Sequence, residues 1–230
     1  MDALLLRGSH GGRRIPEMTV PVHPNLLADE DLPPDPRQTR SIEKRARIKK
    51  AALALFGQRG YEGTCIEDIA DRANLAVGGF YLHFRCKRQL LLVLMDDLLQ
   101  KLDQMDLRPK GIGDIRAGLR TFLSRAFATD LQFLGAYRAW REAVLCDPDL
   151  AKKEHAIRAW TTARVTLAFS LLQQLPGARP DVDAPTLARV MDSFFWNLLA
   201  QATLLDQIEL NQWIDSATHL IYHALFKDDS

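Results

Sequence analysis

RIKKAALALFGQRGYEGTCIEDIADRANLAVGGFYLHFRCKRQLL, residues 47–91, decides the fold. Ile48, Ala51, Ala52, Leu55 and Phe56 recur at three- and four-residue spacing, which places them on one apolar stripe of a helix. Gly60 supplies the residue that a left-handed helix end requires, with Tyr61 positioned to fold back over it. Thr64-Cys65-Ile66-Glu67 has the form of a capping box opening a helix of about two turns, with Ile66, Ile69, Ala70 and Ala73 facing inward. Asn74 tolerates the left-handed conformation of a tight turn, and a second short helix then carries Val77 to Phe84. Two short helices joined by such a turn make a helix-turn-helix, whose second helix enters the major groove of DNA.

The segments RIKKAALALFGQRGYEGT and CIEDIADRANLAVGGFYLHF, followed by Lys87, resemble the DNA-binding domain of TetR-type (tetracycline-repressor-like) bacterial regulators. The likeness covers about residues 40–99, under a third of the chain, and the Phe80-Tyr81-x-His83-Phe84 signature makes it specific. It implies a homodimeric, ligand-responsive repressor without catalytic residues or cofactor, bound to palindromic double-stranded DNA. It also implies backbone contacts from Tyr81, His83 and Lys87. Thr64 is expected to cap the first short helix and to share its hydroxyl with DNA, while Phe80 and Phe84 are expected in the core.

The base-reading face departs from the family pattern. Ala76 stands where the family commonly has Ser or Thr, Val77 where it has Lys or Arg, and Gly79 where it has a hydroxyl or alanine. Ala76, Val77, Gly79 and Leu82 can press on thymine methyls but cannot donate bidentate hydrogen bonds. Operator choice is therefore expected to rest partly on DNA shape, with Gly78 and Gly79 allowing close backbone approach. Lys44 and Arg45, near the start of the first helix, are candidate phosphate contacts. Arg40 ends a basic arm that could enter the minor groove or could be a solvated linker.

Charge is distributed to match. The 230-residue chain carries a net charge of only +1. Residues 37–88 nevertheless hold twelve Lys or Arg against five Asp or Glu, and residues 186–230 two against six. Such asymmetry fits a nucleic-acid face on one domain, although a merely solvated basic helix would look the same. Three cysteines without CxxC spacing argue against a disulfide framework and a structural zinc site. No eighteen-residue apolar run is present, and Leu4-Leu5-Leu6 is too short for a signal peptide. The expectation is a cytoplasmic protein with no membrane partner.

The organisation read from the chain is all-α. Residues 1–38, rich in proline, are expected to be a flexible arm. Residues 39–86 form the helix-turn-helix domain, 87–106 a connecting helix too broadly apolar to lie on a surface, and 107–230 the ligand-binding and dimerisation domain. Pro109, Gly111 and Gly113 mark the boundary. Helices are expected near 114–129, 131–146, 149–175, 184–207 and 209–226. The last two are apolar on more than one face, through Leu187, Val190, Met191, Phe194 and Leu198 on one and Trp213, Ile214, Leu220 and Ile221 on the other. A dimeric four-helix bundle would cover them.

The resemblance implies an effector pocket among the C-terminal helices. Phe122, Tyr137, Trp140, Arg141, Trp160, Arg164 and Phe195 mix aromatic and charged groups in the middle helices, suited to a small hydrophobic or amphipathic ligand. Each aromatic could equally be ordinary core. His219 and His223 have helical metal-pair spacing but lack further ligands. Cys65 and Cys86, at helix starts beside charged residues, are candidates for lowered thiol pKa and a redox switch, or are simple capping residues. Two other readings are a same-fold dimer controlled by a protein partner or acting architecturally, and an α-helical enzyme. The last finds no nucleophile–base pair, phosphate loop or HExxH motif.

Overall fold

The structure, a computed structural model, describes residues 21–108, 114–202 and 206–227. Among these residues it is all-helical. The elements are α1 (Thr39–Arg59), α2 (Ile66–Arg72), α3 (Val77–Tyr81), α4 (Lys87–Asp103), α5 (Ile115–Leu131), α6 (Leu134–Ala143), α7 (Pro148–Leu172), α8 (Ala184–Gln201) and α9 (Gln207–Leu225). Among the described residues the sole extended pairing is a bridge between Ala178 and Phe226. The expected boundary glycines and Pro109 lie outside the described residues, as do residues 203–205 of the helix expected over 184–207.

Four of the five helices from α5 to α9 start on an aspartate, and α6, which follows Phe133, does not. Asp114, Asp147, Asp183 and Asp206 each accept backbone N–H groups of the first turn, and Asp206 with Glu209 forms a full capping box. The capping box expected at Thr64 does not form. Cys65 takes the N-cap position of α2 without a side-chain bond, and the Thr64 hydroxyl instead donates to the Gly60 carbonyl at 2.7 Å. Thr64 is buried, so its hydroxyl closes the end of α1 and is not displayed for DNA.

Two apolar cores divide the chain, and the division does not follow sequence order. The first runs from α1–α3 through α4 and α6 into the first half of α7. The second joins α5, the end of α7, α8 and α9. Helix α4 is buried on every face from Gln89 to Asp96, as its breadth of apolar residues demands.

Part of one face of α4 is covered by a segment that composition alone gave to a flexible arm. Residues 21–38 pack onto the body: Leu26 is buried in the first core, and Leu27 and Leu32 lie against it. Trp160 donates its indole N–H to the Pro21 carbonyl (3.2 Å), Lys153 reaches the Leu26 carbonyl (2.8 Å), and Gln89 reaches that of Asp31 (3.0 Å). Three leucines among the prolines give the segment apolar anchors, and proline lowers the entropy lost on fixing it. The arm residues 1–20 lie outside the described residues.

Candidate nucleic-acid interface and internal cavity

The helix-turn-helix forms as the local signals dictate. Gly60 has φ 75° and Asn74 φ 53°, the two left-handed positions the turns need. The Tyr61 ring packs on Phe56 at 5.9 Å between centroids. Phe80 and Phe84 are fully buried at 5.8 Å from each other, which anchors α3 in the first core beside α2.

Helix α3 then presents an exposed apolar face. Ala76, Val77 and Gly78 are exposed, with Tyr81 at 46 % and Leu82 at 72 %. Gly79 is not part of it: a Cβ there would meet Leu75, whereas one at Gly78 would meet nothing. Leu75, just before the N-cap of α3, folds back against the first turn and covers Gly79. Arg40 and Lys44 are exposed on the neighbouring helix.

Three of the cationic or polar residues assigned to DNA have other partners. Arg45 is largely buried, its guanidinium over the Phe84 ring (5.0 Å) and 3.2 Å from Asp35. His83 is buried, and desolvation, followed by the charges of Arg45 and Lys44, lowers its pKa. It is therefore a neutral ring at pH 7 rather than a phosphate contact. Lys87 donates to the carbonyls of Tyr61 (2.6 Å) and Thr64 (2.9 Å) and stands 4.2 Å from the Tyr61 ring. Two of its three N–H groups thus tie the start of α4 to the loop after α1. The spacing of a sequence motif cannot distinguish a lysine that faces outward from one that is folded back.

Cys65 and Cys86 are exposed and unbridged. For Cys65 the expected activation is reversed. A backbone N–H from Asp68 favours the thiolate, but the carboxylates of Asp68 and Glu67 outweigh it and push the thiol up.

Behind the head lies a cavity of about 350 Å³, enclosed mainly by α5, α7 and α8. Of the residues assigned to an effector pocket, Phe122, Tyr137, Trp160, Arg164 and Phe195 line this cavity, and Trp140 and Arg141 do not. Trp140 is fully buried in the first core, its indole N–H donating to Glu154 at 2.7 Å, and Arg141 is exposed on the other side of α6. The sequence reading missed Phe127, Trp196, Asp130 and Asp192, all of which line the cavity. The acids gave no motif to find.

Asp130 accepts the Tyr137 hydroxyl at 3.1 Å, and Asp192 accepts that of Thr162 at 2.9 Å. Burial pushes the Asp130 carboxyl up to about 7, against the Tyr137 hydrogen bond, and raises that of Asp192 too. Arg164, only 7 % exposed, donates to the carbonyls of Leu102 (2.6 Å) and Met105 (3.3 Å) and meets Asp103 at 3.2 Å. It closes the C-terminal end of α4, where a cation is favoured by the exposed carbonyls.

Helix α6 stands between cavity and head. Tyr137 faces the cavity, while Arg138 donates to the Gly57 carbonyl (2.8 Å) and Glu142 accepts the Tyr61 N–H (2.6 Å). Gly135 and Gly57 let the two helices meet at backbone distance.

The residues assigned to dimerisation split in two. Val190 (61 %) and Leu220 (56 %) are exposed, and Phe194 and Trp213 are partly exposed, stacked at 5.6 Å. Leu187 is also partly exposed. Met191, Leu198, Ile214 and Ile221 face inward in the second core, and Ile221 borders the cavity. A single subunit needs half of each helix's apolar residues for itself. The sequence did not point to Ile208, which is exposed at the start of α9.

The rings of His219 and His223 lie 4.2 Å apart, with Arg116 3.2 Å from His219 Nδ1. Among the described residues no group of three or more His, Cys, Asp or Glu could hold a metal ion, and no helix is long and apolar enough to cross a membrane.

A short exposed helix after a tight turn, on a helical body with a cavity behind it, is the arrangement of a helix-turn-helix protein. Residues 39–94 match the sequence model for bacterial regulatory proteins of the tetR family, and over those residues the chain has the DNA-binding head of that family. YvdT, an uncharacterized HTH-type transcriptional regulator of Bacillus subtilis (strain 168), is 32 % identical over 128 residues, 55 % of this chain and 61 % of YvdT. The HTH-type transcriptional repressor KstR of Rhodococcus jostii (strain RHA1) is 33 % identical over 85 residues, 37 % of this chain and 38 % of KstR. The chain thus spans less than two thirds of the length of these curated relatives. Among solved structures, SmeT in the SmeT–triclosan complex superposes with a TM-score of 0.59 at 23 % identity, over 80 % of this chain and 92 % of SmeT. The similarity to SmeT shows a shared fold.

Proposed function

We propose that this protein is a homodimeric, sequence-specific DNA-binding transcriptional repressor, released from a palindromic operator by a small hydrophobic or amphipathic ligand. One observation carries the reading: a single helix, α6, holds a cavity residue, Tyr137, and the two side chains, Arg138 and Glu142, that grip the end of α1. A ligand that repositions Tyr137 acts on the DNA head through the same rigid element. KstR, related through its DNA-binding segment, is a repressor, and SmeT, which shares the fold, is described in complex with triclosan.

DNA contact is assigned to Arg40, Lys44, Ala76, Val77, Gly78, Tyr81 and Leu82, which are exposed together on α1 and α3. Dimerisation is assigned to the apolar strip of Val190, Phe194, Trp213 and Leu220. A two-fold dimer sets the recognition helices about 34 Å apart, one turn of DNA.

The test is fluorescence anisotropy of the purified protein on DNA upstream of its own gene, at two salt concentrations with excess nonspecific competitor. Competitor-resistant binding by a dimer is expected. If genome-wide selection of bound fragments also returned only weak, strongly salt-dependent binding, the regulator reading would be lost.

A further inference from the structure

We propose that the cavity accepts a lipophilic cation, with Asp130 and Asp192 receiving its charge and the aromatic rings of Phe195, Trp160 and Trp196 its apolar body. This rests on the effector reading of the cavity and adds the class of ligand.

Charge balance in a mainly apolar cavity points to this class. Four carboxylates line the cavity. Asp106 pairs with Arg108 and Asp114 caps α5, which leaves Asp130, from the end of α5, and Asp192, from α8, as the two held by hydroxyls. Tyr137 lies between them: its hydroxyl donates to Asp130, and the charge of Asp192 also reaches it. The side-chain donors to both acids are neutral hydroxyls, from Tyr137 to Asp130 and from Thr162 and Thr161 to Asp192. An ionised carboxylate held only by hydroxyls in a low-dielectric site is costly, and burial raises both carboxyls accordingly.

The cations nearby are already committed. Arg164 is held by Asp103 and by two carbonyls at the end of α4. Arg158, whose charge reaches Asp192, is hydrogen-bonded to Glu154 at 2.8 Å. Arg108 and Arg125 also border the cavity, but both are exposed, where water screens them. An anionic ligand would set its charge against these acids and, among the described residues, meet no buried cation that lacks a partner. A ligand cation would supply the missing counter-charge, and its attraction to the carboxylates is strengthened by the apolar surroundings. Aromatic rings supply the apolar wall: Tyr137 and Trp196 lie edge-to-face at 5.4 Å, Phe127 and Phe195 at 5.5 Å.

Trp160 and Trp196 line the cavity, so intrinsic fluorescence reports its occupancy. The experiment titrates the full-length protein with decyltrimethylammonium, decanol and decanoate, three probes with one tail and different charge, all below their aggregation concentrations. The cation is expected to bind about tenfold or more tightly than decanol, with decanoate weakest. Asp130→Asn combined with Asp192→Asn should remove that preference and leave decanol affinity unchanged, which also shows that the variant is folded. If the double variant unfolds, the wild-type series decides alone.

Equal binding of cation and decanol, or tightest binding of decanoate, overturns the cation class while leaving an effector cavity in place. Failure of all three probes to bind overturns the effector reading as well.

Discussion

The carboxylate of Glu142, on α6, accepts the backbone N–H of Tyr61, just past the end of α1, at 2.6 Å. Four residues earlier on α6, Arg138 donates to the Gly57 carbonyl of α1. A helix leaves its last carbonyls without partners; here a helix of the C-terminal body supplies a donor to one of them, along with a charged acceptor for the amides that follow. The DNA head is therefore seated on α6 as well as continued by α4.

The α1–α6 seat makes Gly135 sensitive. A Cβ at this position would overlap the Leu53 carbonyl, a backbone atom that cannot move aside. Gly135→Ala is expected to force the helices apart and destabilise the protein by about 1–3 kcal/mol. Urea unfolding measures this, and an unchanged midpoint would contradict the close crossing.

Lys87 tests whether its motif position means DNA contact or structure. Lys87→Met removes two hydrogen bonds to the Tyr61 and Thr64 carbonyls. A loss of about 1–3 kcal/mol in stability is expected in the absence of DNA. If Lys87→Met instead left thermal unfolding unchanged and weakened only DNA binding, the contacts with Tyr61 and Thr64 would be incidental.

On α3 the two adjacent glycines should behave differently. Gly78→Leu adds a side chain into open space on the recognition face, so it should abolish groove entry at little cost to folding. Gly79→Ala makes an ordinary contact with Leu75 and should leave DNA binding within about threefold. Anisotropy on one operator fragment compares them directly, and equal losses would put Gly79 on the DNA face after all.

Asp130 gives a pH signature. Its folded carboxyl titrates at about 7, raised by burial from an ordinary 3.8. The folded state then holds the proton more tightly, so stability tied to this group is full below about pH 4 and is lost as pH rises to about 7. Asp130→Asn cannot ionise and escapes that loss. The melting-temperature difference, variant minus wild type, should grow from pH 4 to 7 and level off above. A flat difference would mean that Asp130 ionises freely in the fold.

The dimer strip makes a paired prediction. Val190→Glu with Leu220→Glu should yield a folded monomer in light scattering, because both side chains are exposed in the subunit. Met191→Glu, one residue from Val190, should unfold it, since Met191 is in the second core. A folded dimer from the first variant would move the interface elsewhere.

Local signals determined the helices. Apolar spacing set α1 and α4, Gly60 and Asn74 set the two left-handed turns, and Asp206 with Glu209 set the start of α9. Those features depend on residues a few positions apart, whose propensities and hydrogen bonds act within one turn. The helix-turn-helix and the family of that head were legible on that basis. The direction in which each functional side chain points was not. Lys87 and His83 match the DNA-contact pattern, yet one is bound to carbonyls more than twenty residues upstream and the other is buried. Met191 and Val190 are neighbours in an apolar run, and only packing against α7 and α9 decides which faces inward. Asp130 and Asp192 lie sixty-two positions apart (192 − 130) and line one cavity because α5 and α8 both enclose it. Burial raises the energy of their charges, and burial is a property of the assembled helices alone.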